Sequence, residues 1–397
     1  MTDVTALEAE GNALLAAGHP EQAEQRARRL LASGSMTVTS FHLLALSVRA
    51  QGRIEECRDI LGQMVERLPG NLTLRFELAE TLLMLGDFER GWREYHHRYG
   101  MPHTASLERK VQKPRWDGRP IPGKTLLIHD EQGYGDTFQF LRMVSWAKQR
   151  SQARVVLQIN LDQKGFAQRS AGADALVLRG ELPPPFDVHC EMMSLPMAMG
   201  LTLSDLPGAC PYLSAEPARV KRWRRRLARL PRPLVGLVWA GRPTHLNDAA
   251  RSVTLDTLAP LGMPGVTFLA LQKGPAEAQA ATPPPGMRIE RLGDEIADFE
   301  DTAAILSLTD LLISVDSSPV HLAGALGRPA WVVLPFVPDW RWLLEREDTP
   351  WYPSLRLFRQ DRRGDWSGVV TRVASALAGV RDERRDPLSD RAPRRGV

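Results

Sequence analysis

The stretch LLISVDSSPVHLAGALGRPAWVVLP, residues 311–335, decides the fold. A short, nearly all-apolar run ends at Asp316, which predicts a buried strand. Ser317 or Ser318 is then a natural N-cap, and Pro319 fits the first helical turn, where its missing N–H costs nothing. The segment HLAGAL packs through small residues and stops at Gly327, and AWVVLP (330–335) follows as another buried strand. Strand, helix and strand in so short a span are the unit of a parallel sheet with crossover helices. At the strand end, the N-terminal N–H groups of the helix, two hydroxyls and His321 make an anion site, one for a phosphate ligand more than a purely structural cap.

The same alternation extends outward on both sides. TLLIHD (125–130), RVVLQI (154–159), ALVL (175–178) and FDVHC (186–190) form one set of strands, and LVGLVWA (234–240), VTFLALQ (266–272), LLISVD and AWVVLP form a second. Two sets in tandem predict two Rossmann-like lobes, residues 124–215 and 234–380, facing a cleft at the C-terminal strand ends. Between them, residues 216–233 carry the basic run ARVKRWRRRLARLPRP (218–233), read as a solvated inter-lobe helix. Nucleic-acid binding would rest on that run alone.

Two further strand ends carry chemistry. In HDEQGYGDTFQF (129–140), Gly133 and Gly135 begin like a dinucleotide fingerprint, but Phe138 stands at the third glycine position. The following strand also ends without the acidic residue that would hold a ribose, which argues against NAD. What remains is a Gly-lined loop with Asp136 at the cleft mouth. That carboxylate could accept a proton from an attacking hydroxyl or simply cap the next helix, and the residues alone favour the cap. In VGLVWAGRPTHLNDAARS (235–252), a buried strand runs into a loop with Arg242, His245, Asn247, Asp248 and Arg251. A cation there could pair with a diphosphate, or the loop is merely polar. Downstream, Trp340, Trp342, Trp351 and Tyr352 read mostly as core, and residues 365–380 as a terminal amphipathic helix.

The N-terminal third is different. Gly18, Gly52 and Gly86 recur at intervals of 34 residues, each after an apolar helical stretch. Small residues recur with them: Gly11, Ala45 and Ala79 in the first helix of each pair, and Ala23, Cys57 and Gly91 in the second. Pro69 closes the middle repeat. This resembles tetratricopeptide repeats over about residues 4–105, an array that presents a concave surface to partners or caps the next domain. Residues 106–123 read as a linker, with Trp116 anchoring it on a neighbouring surface.

Composition sets the outer bounds. The 397 residues, 43% hydrophobic and 25% charged with a net charge of +4, are those of an ordinary globular protein of more than one domain. No apolar run reaches the roughly 18 residues of a membrane span, and the N-terminus lacks a secretory signal. Cys57, Cys190 and Cys210 form no metal or redox spacing and read as reduced thiols, so a cytoplasmic location is expected. Arginine far outnumbers the seven lysines, as coding bias in a GC-rich bacterium produces. The charged tail, 381–397, is expected to be disordered.

Taken in order, EQGYGDTFQF, VGLVWAGRPTHLND–RS, VDSSPVHLAGALGRPAWVVLP and DWRWLLEREDTPWYPSLRLFRQ resemble bacterial tetratricopeptide-repeat proteins with a GT-B glycosyltransferase-like domain, related to heptosyltransferases and more distantly to O-linked N-acetylglucosamine transferases. The resemblance implies an α plus α/β chain: an N-terminal tetratricopeptide α-solenoid, residues 1–105, followed by a GT-B-like pair of Rossmann-like lobes. It implies a glycosyltransferase acting from a nucleotide-diphosphate sugar on a protein or glycan acceptor, with no cofactor and no metal. Asp136 takes the place of the base, and Gly133, Gly135 and Gln139 lie on the acceptor-side loop. Asp316, Ser317, Ser318 and His321 fall on the donor motif. The relatives' phosphate-pairing Lys is absent; Arg251 stands closest, Arg242 second, with His245 and Asn247 on the same loop. Two other readings compete: a non-catalytic scaffold with a degenerate sugar-nucleotide cleft, and a sugar-nucleotide epimerase.

Overall fold

The computed structural model describes residues 4–100, 113–170, 172–206, 208, 210–245 and 247–385. Its first part is six helices: α1 (Val4–Ala16), α2 (Pro20–Ala32), α3 (Val38–Ala50), α4 (Ile54–Arg67), α5 (Leu72–Met84) and α6 (Phe88–Tyr95). Consecutive helices pack on one another as three hairpins. The three recurring glycines lie in the hairpin turns at φ near +80° (Gly18 82°, Gly52 80°, Gly86 81°), a conformation that a Cβ disfavours. Ala23, Ala45, Cys57 and Ala79 are fully buried between helices.

Two parallel sheets follow. The first takes β1 (Thr125–His129), α7 (Tyr134–Phe140), α8 (Arg142–Ser151), β2 (Arg154–Ile159), α9 (Lys164–Ser170), β3 (Ala175–Leu178), β4 (Val188–Glu191) and α10 (Leu195–Met199). Its strand order is β3-β2-β1-β4. The second part comprises α11 (Pro217–Leu227), β5 (Leu234–Val238), α12 (Asp248–Arg251), β6 (Thr267–Ala270), β7 (Ile289–Arg291), α13 (Phe299–Leu306), β8 (Leu311–Val315), α14 (Ser318–Ala325), β9 (Ala330–Leu334), β10 (Leu355–Arg359) and α15 (Trp366–Arg385). Its order, β10-β9-β8-β5-β6-β7, reverses direction between β8 and β5, a crevice position for ligands in open α/β sheets.

Several sequence expectations change. Strands β7 and β10 were not foreseen: both are sheet edges, where IER and LRLFR mix charge with apolar residues and lose the continuous run of a central strand. Helix α11 packs on α13 and buries Trp223 and Leu227, while Lys221, Arg222, Arg224 and Arg225 stay exposed on its solvated face. Three of its arginines form ion pairs: Arg219 with Asp298 at 2.8 Å, Arg222 with Asp301, and Arg226 with Glu290 at 2.5 Å and Glu295 at 2.7 Å. The terminal helix continues through Arg385, five residues into the segment expected to be disordered. The rest of that tail, and linker residues 106–112, lie outside the described residues. No described helix is long and apolar enough to cross a membrane.

The helical array is joined to both sheets through one hydrophobic core. From α6, Trp92 packs edge-on against Phe140 of α7 (ring centroids 6.0 Å apart) and against Trp340 (5.2 Å), which follows β9. Phe88 meets Trp351 at 6.0 Å. Such aromatic pairs add about 0.5–1.5 kcal/mol each beyond their buried area. A fully buried ion pair, Arg98 Nη2 to Glu131 Oε1 at 2.6 Å, ties the end of the array to the loop after β1.

Candidate functional site

The three strand-end motifs converge. Gly133 is the N-cap of α7, and its N–H donates to Asp136 Oδ2 at 2.8 Å, so Asp136 does close the first turn of that helix. Gly135 lies directly against α14: a Cβ at Gly135 would stand 3.0 Å from His321 Cδ2 and 3.5 Å from Ser318 Cα. The Gly-lined loop of the first sheet and the helix N-terminus of the second therefore touch. A side chain at Gly135 would crowd the His321 ring, so glycine keeps the contact close without overpacking.

At this seam the second oxygen of Asp136 is held by Arg341, which sits in a 3₁₀ turn (Trp340–Trp342) between β9 and β10. Each edge of the Arg341 fork is used. Nη2 meets Asp136 Oδ1, Nε donates to Gln139 Oε1 at 2.7 Å, and Nη1 donates to Asp339 Oδ1 at 2.8 Å. The guanidinium is almost buried and rests over the Trp340 ring, 4.2 Å from its centroid. Gln139 is fully buried, and its Nε2 has no partner. Burial opposes the charge on Asp339, but the Arg341 guanidinium and its hydrogen bonds prevail and hold that carboxyl below its usual range.

Beside this clamp lies Asp316, at the end of β8. Burial, reinforced by the like charge of Asp339, pushes its carboxyl up to about 6, against the pull of Trp342, Arg251 and Arg341. His321 does not open onto the helix N-terminus as the sequence suggests. Its ring is buried, stacks on Trp342 with centroids 5.4 Å apart, and shares a hydrogen bond of 3.0 Å between Nδ1 and the Tyr352 hydroxyl. Its Nε2 faces Asp316 Oδ1 at 3.9 Å. Burial and the charges of Arg341 and Arg251 push His321 down to about 3, so it is neutral at neutral pH.

The polar loop after β5 overhangs the same place. Arg251 lies 3.4 Å from Asp248, and its charge bears on both Asp316 and His321. Partial enclosure and Arg251 pull His245 below its ordinary value, while Asp339, Asp248 and Asp136 oppose that shift. Asn247 is exposed beside it, and its backbone N–H donates to His245 Nδ1 at 3.2 Å. Arg242 is exposed, bonded to Thr244 Oγ1 at 2.8 Å, and its charge reaches Tyr134 of α7, whereas the charge of Arg251 bears on Asp316 and His321. Ser317 is the N-cap of α14, but its hydroxyl donates to the Val315 carbonyl at 3.2 Å and caps no helix N–H. Pro319 has no N–H and the Val320 N–H donates to the Ser317 carbonyl at 3.0 Å, so within that first turn the Ser318 N–H is the one left to a ligand or solvent.

Arg341, Asp339 and Gln132 were missed in the sequence, as were two residues from the helical array. Tyr95 of α6 accepts a hydrogen bond from Gln132 Nε2 at 3.0 Å, beside the Asp136–Arg341 pair, and Glu80 of α5 faces Asp339 and Arg341. The available signal is the run Asp339-Trp340-Arg341-Trp342 just past a strand end, an ion-pair spacing within a segment that otherwise reads as aromatic core.

One buried cluster bears on the expectation of no metal. Among the described residues, His129, His189 and Glu191 offer ligand atoms within 4.8 Å of one another. The two rings are 18° from parallel, with centroids 5.5 Å apart and Nε2 of His129 3.2 Å from Nδ1 of His189. An imidazole nitrogen lies about 1.1–1.2 Å from its ring centroid, so both nitrogens fall on the line between centroids and point at each other, as in an N–H···N bond. An ion between them would sit about 1.6 Å from each, against the roughly 2.0–2.1 Å of a zinc–imidazole bond. Glu191 accepts from Arg115 Nε at 3.0 and 3.2 Å, and it is held at about 2 although burial works against its charge. As arranged, the group anchors the linker on β4, and binding a metal would require the rings to turn.

No family model matches the chain. Protein FlbA of Caulobacter vibrioides is 30% identical over 332 residues, covering 77% of this chain and 54% of that protein, so the chain spans about half the length of this curated relative. Among solved structures, the E. coli ADP-heptose LPS heptosyltransferase II is 14% identical and covers 66% of this chain and 100% of its own, with a TM-score of 0.48. A glycosyl transferase of family 9 from Veillonella parvula is 10% identical, covers 67% and 99%, and scores 0.47. Both scores fall below one half, and the reading of the site rests on its own geometry.

Proposed function

We propose that the chain is a GT-B-type glycosyltransferase that moves a sugar from a nucleotide-diphosphate donor to an acceptor hydroxyl. The observation that carries this reading is the contact of Gly135 with Ser318 and His321, which sets Asp136 on one strand-end loop beside the first turn of α14 on the other. In the transfer, Asp136 takes the proton of the acceptor hydroxyl, and the acceptor oxygen attacks the anomeric carbon. The bond from that carbon to the diphosphate oxygen breaks. The leaving diphosphate carries its charge to the Ser318 N–H at the start of α14 and to Arg251. Charge stabilisation by fixed donors of this kind calls for no resident metal. The hairpins, read as tetratricopeptide repeats, bring a protein or glycan acceptor to the cleft, and Glu80 and Tyr95 bring the array itself up to the site. A cytoplasmic enzyme fits this donor chemistry.

The test is calorimetric titration of the full chain with ADP-, UDP- and GDP-sugars, followed by an assay for nucleoside diphosphate release with candidate acceptors. Micromolar binding of one donor is expected, with release abolished in Asp136→Asn; failure of all three to bind would sink the reading. A non-catalytic binding protein is favoured by one specific observation: both oxygens of Asp136 are already engaged, by Gly133 and Arg341. That reading predicts donor binding with no release under any acceptor.

A further inference from the structure

The ion pair at the seam sets a problem for the proposed base. Asp136 Oδ2 is committed to the Gly133 N–H, and Oδ1 to Arg341. To take a proton it must shed one of them, and losing the Gly133 bond would strip the cap from its own helix, at about 1 kcal/mol. Arg341 is the partner that can leave. It keeps Asp339 at Nη1 and through its own backbone N–H, which donates to Asp339 Oδ1 at 3.0 Å. The guanidinium can thus swing its Nε–Nη2 edge about the Asp339 anchor, giving up Gln139 Oε1 together with Asp136. A diphosphate entering over the first turn of α14 is the anion best suited to take that edge, because phosphate oxygens match the planar fork. The charge of Arg341 already reaches His321 on that helix. The fully buried Gln139, with Nε2 unpartnered, offers a further donor in the space the fork would vacate.

Resting on the function proposed above, we infer that Arg341 is a positioning residue that works as an anion-operated latch: it holds Asp136 until the donor diphosphate draws it away, so the base is released only when a donor is bound. The latch keeps a free carboxylate from activating water against an empty acceptor site.

A competition of this kind has a thermodynamic signature that a structural ion pair lacks. The diphosphate must win Arg341 from Asp136, so Asp136→Asn, which keeps an oxygen for the Gly133 N–H, tightens nucleoside diphosphate binding. Arg341→Gln weakens it by about tenfold, the loss of one charge-assisted contact. Removal of a like charge near the phosphates would also tighten binding, and the double variant separates the two causes. With a latch, Asp136→Asn tightens several-fold in the wild-type background and has little effect in the Arg341→Gln background. Plain repulsion gives equal tightening in both. Should Arg341→Gln not fold, Arg341→Met, which likewise removes the charge and its donors, must show the same non-additivity. Calorimetry with ADP, UDP and GDP reads all four proteins. Equal tightening in both backgrounds, or none in either, overturns the latch while leaving the donor site intact. A wild-type chain that binds none of the three removes the proposed function and the latch together.

Discussion

Gly135 stands against His321 so closely that a Cβ would lie 3.0 Å from its Cδ2. The imidazole cannot easily retreat, since it stacks on Trp342 and is bonded to Tyr352. Gly135→Ala would raise helix propensity in α7 by up to about 1 kcal/mol and overpack the seam by about 1–3 kcal/mol. A net loss of about 1 kcal/mol is expected in urea denaturation, together with weaker nucleotide binding as α7 and α14 are pushed apart. A variant as stable as the wild type with unchanged binding would show that the seam is slack.

Glu80 supplies a pH dependence. Burial, with the like charges of Glu77 and Asp339, outweighs Arg49 and Arg341 and pushes its carboxyl up to about 7, from 4.5. A raised folded-state pKa gives stability that is fully present below about pH 4.5 and lost as pH rises through 7. Glu80→Gln should therefore match the wild type at the acid end and exceed it by up to about 3 kcal/mol above pH 8. Its side chain is 29% exposed, and solvent screening trims that upper bound. Denaturation curves across this range check the sign; a stability difference constant with pH would refute it.

Trp92 is fully enclosed between the array and both sheets. Trp92→Ala should cost about 3–5 kcal/mol, as large aromatic truncations do. Its Nε1 has no hydrogen-bond partner, so Trp92→Phe should keep much of that stability. The alanine variant should also uncouple the two parts, with helical and sheet signals melting at different temperatures. A single coincident transition would place the coupling elsewhere, at Phe88 or Arg98.

Arg98 and Glu131 form a buried pair that is also bound to the chain around it: Glu131 Oε1 accepts the Met193 N–H at 2.9 Å. Arg98→Met leaves that carboxylate without its cation, at a cost of about 3–5 kcal/mol. Adding Glu131→Gln removes the stranded charge and should restore part of the loss, which a double-mutant cycle on chemical denaturation measures. Additive losses would mean that the two side chains contribute independently.

The helical hairpins and the central strands were legible because their signals are local. A glycine every 34 residues marks a turn that needs positive φ, and runs such as RVVLQI mark strands buried on both faces. The edge strands β7 and β10 were not legible, because one open side lets charge into the pattern. The candidate residues Asp136, Arg251, Asp316 and Ser318 could be named from strand ends alone, since a parallel sheet delivers those ends to one crevice.

What surrounds them could not. Arg341 meets Asp136 across 205 residues of chain, and Glu80 and Tyr95 reach the same place from the helical array. His321 was read as an open anion ligand, and tertiary packing turned it inward against Trp342 and Tyr352. Sequence pattern determined which elements form and where their ends fall, because backbone periodicity and turn chemistry act over a few residues. Only the tertiary structure decided which charges face one another, because burial and pairing depend on elements that the chain brings together from far apart.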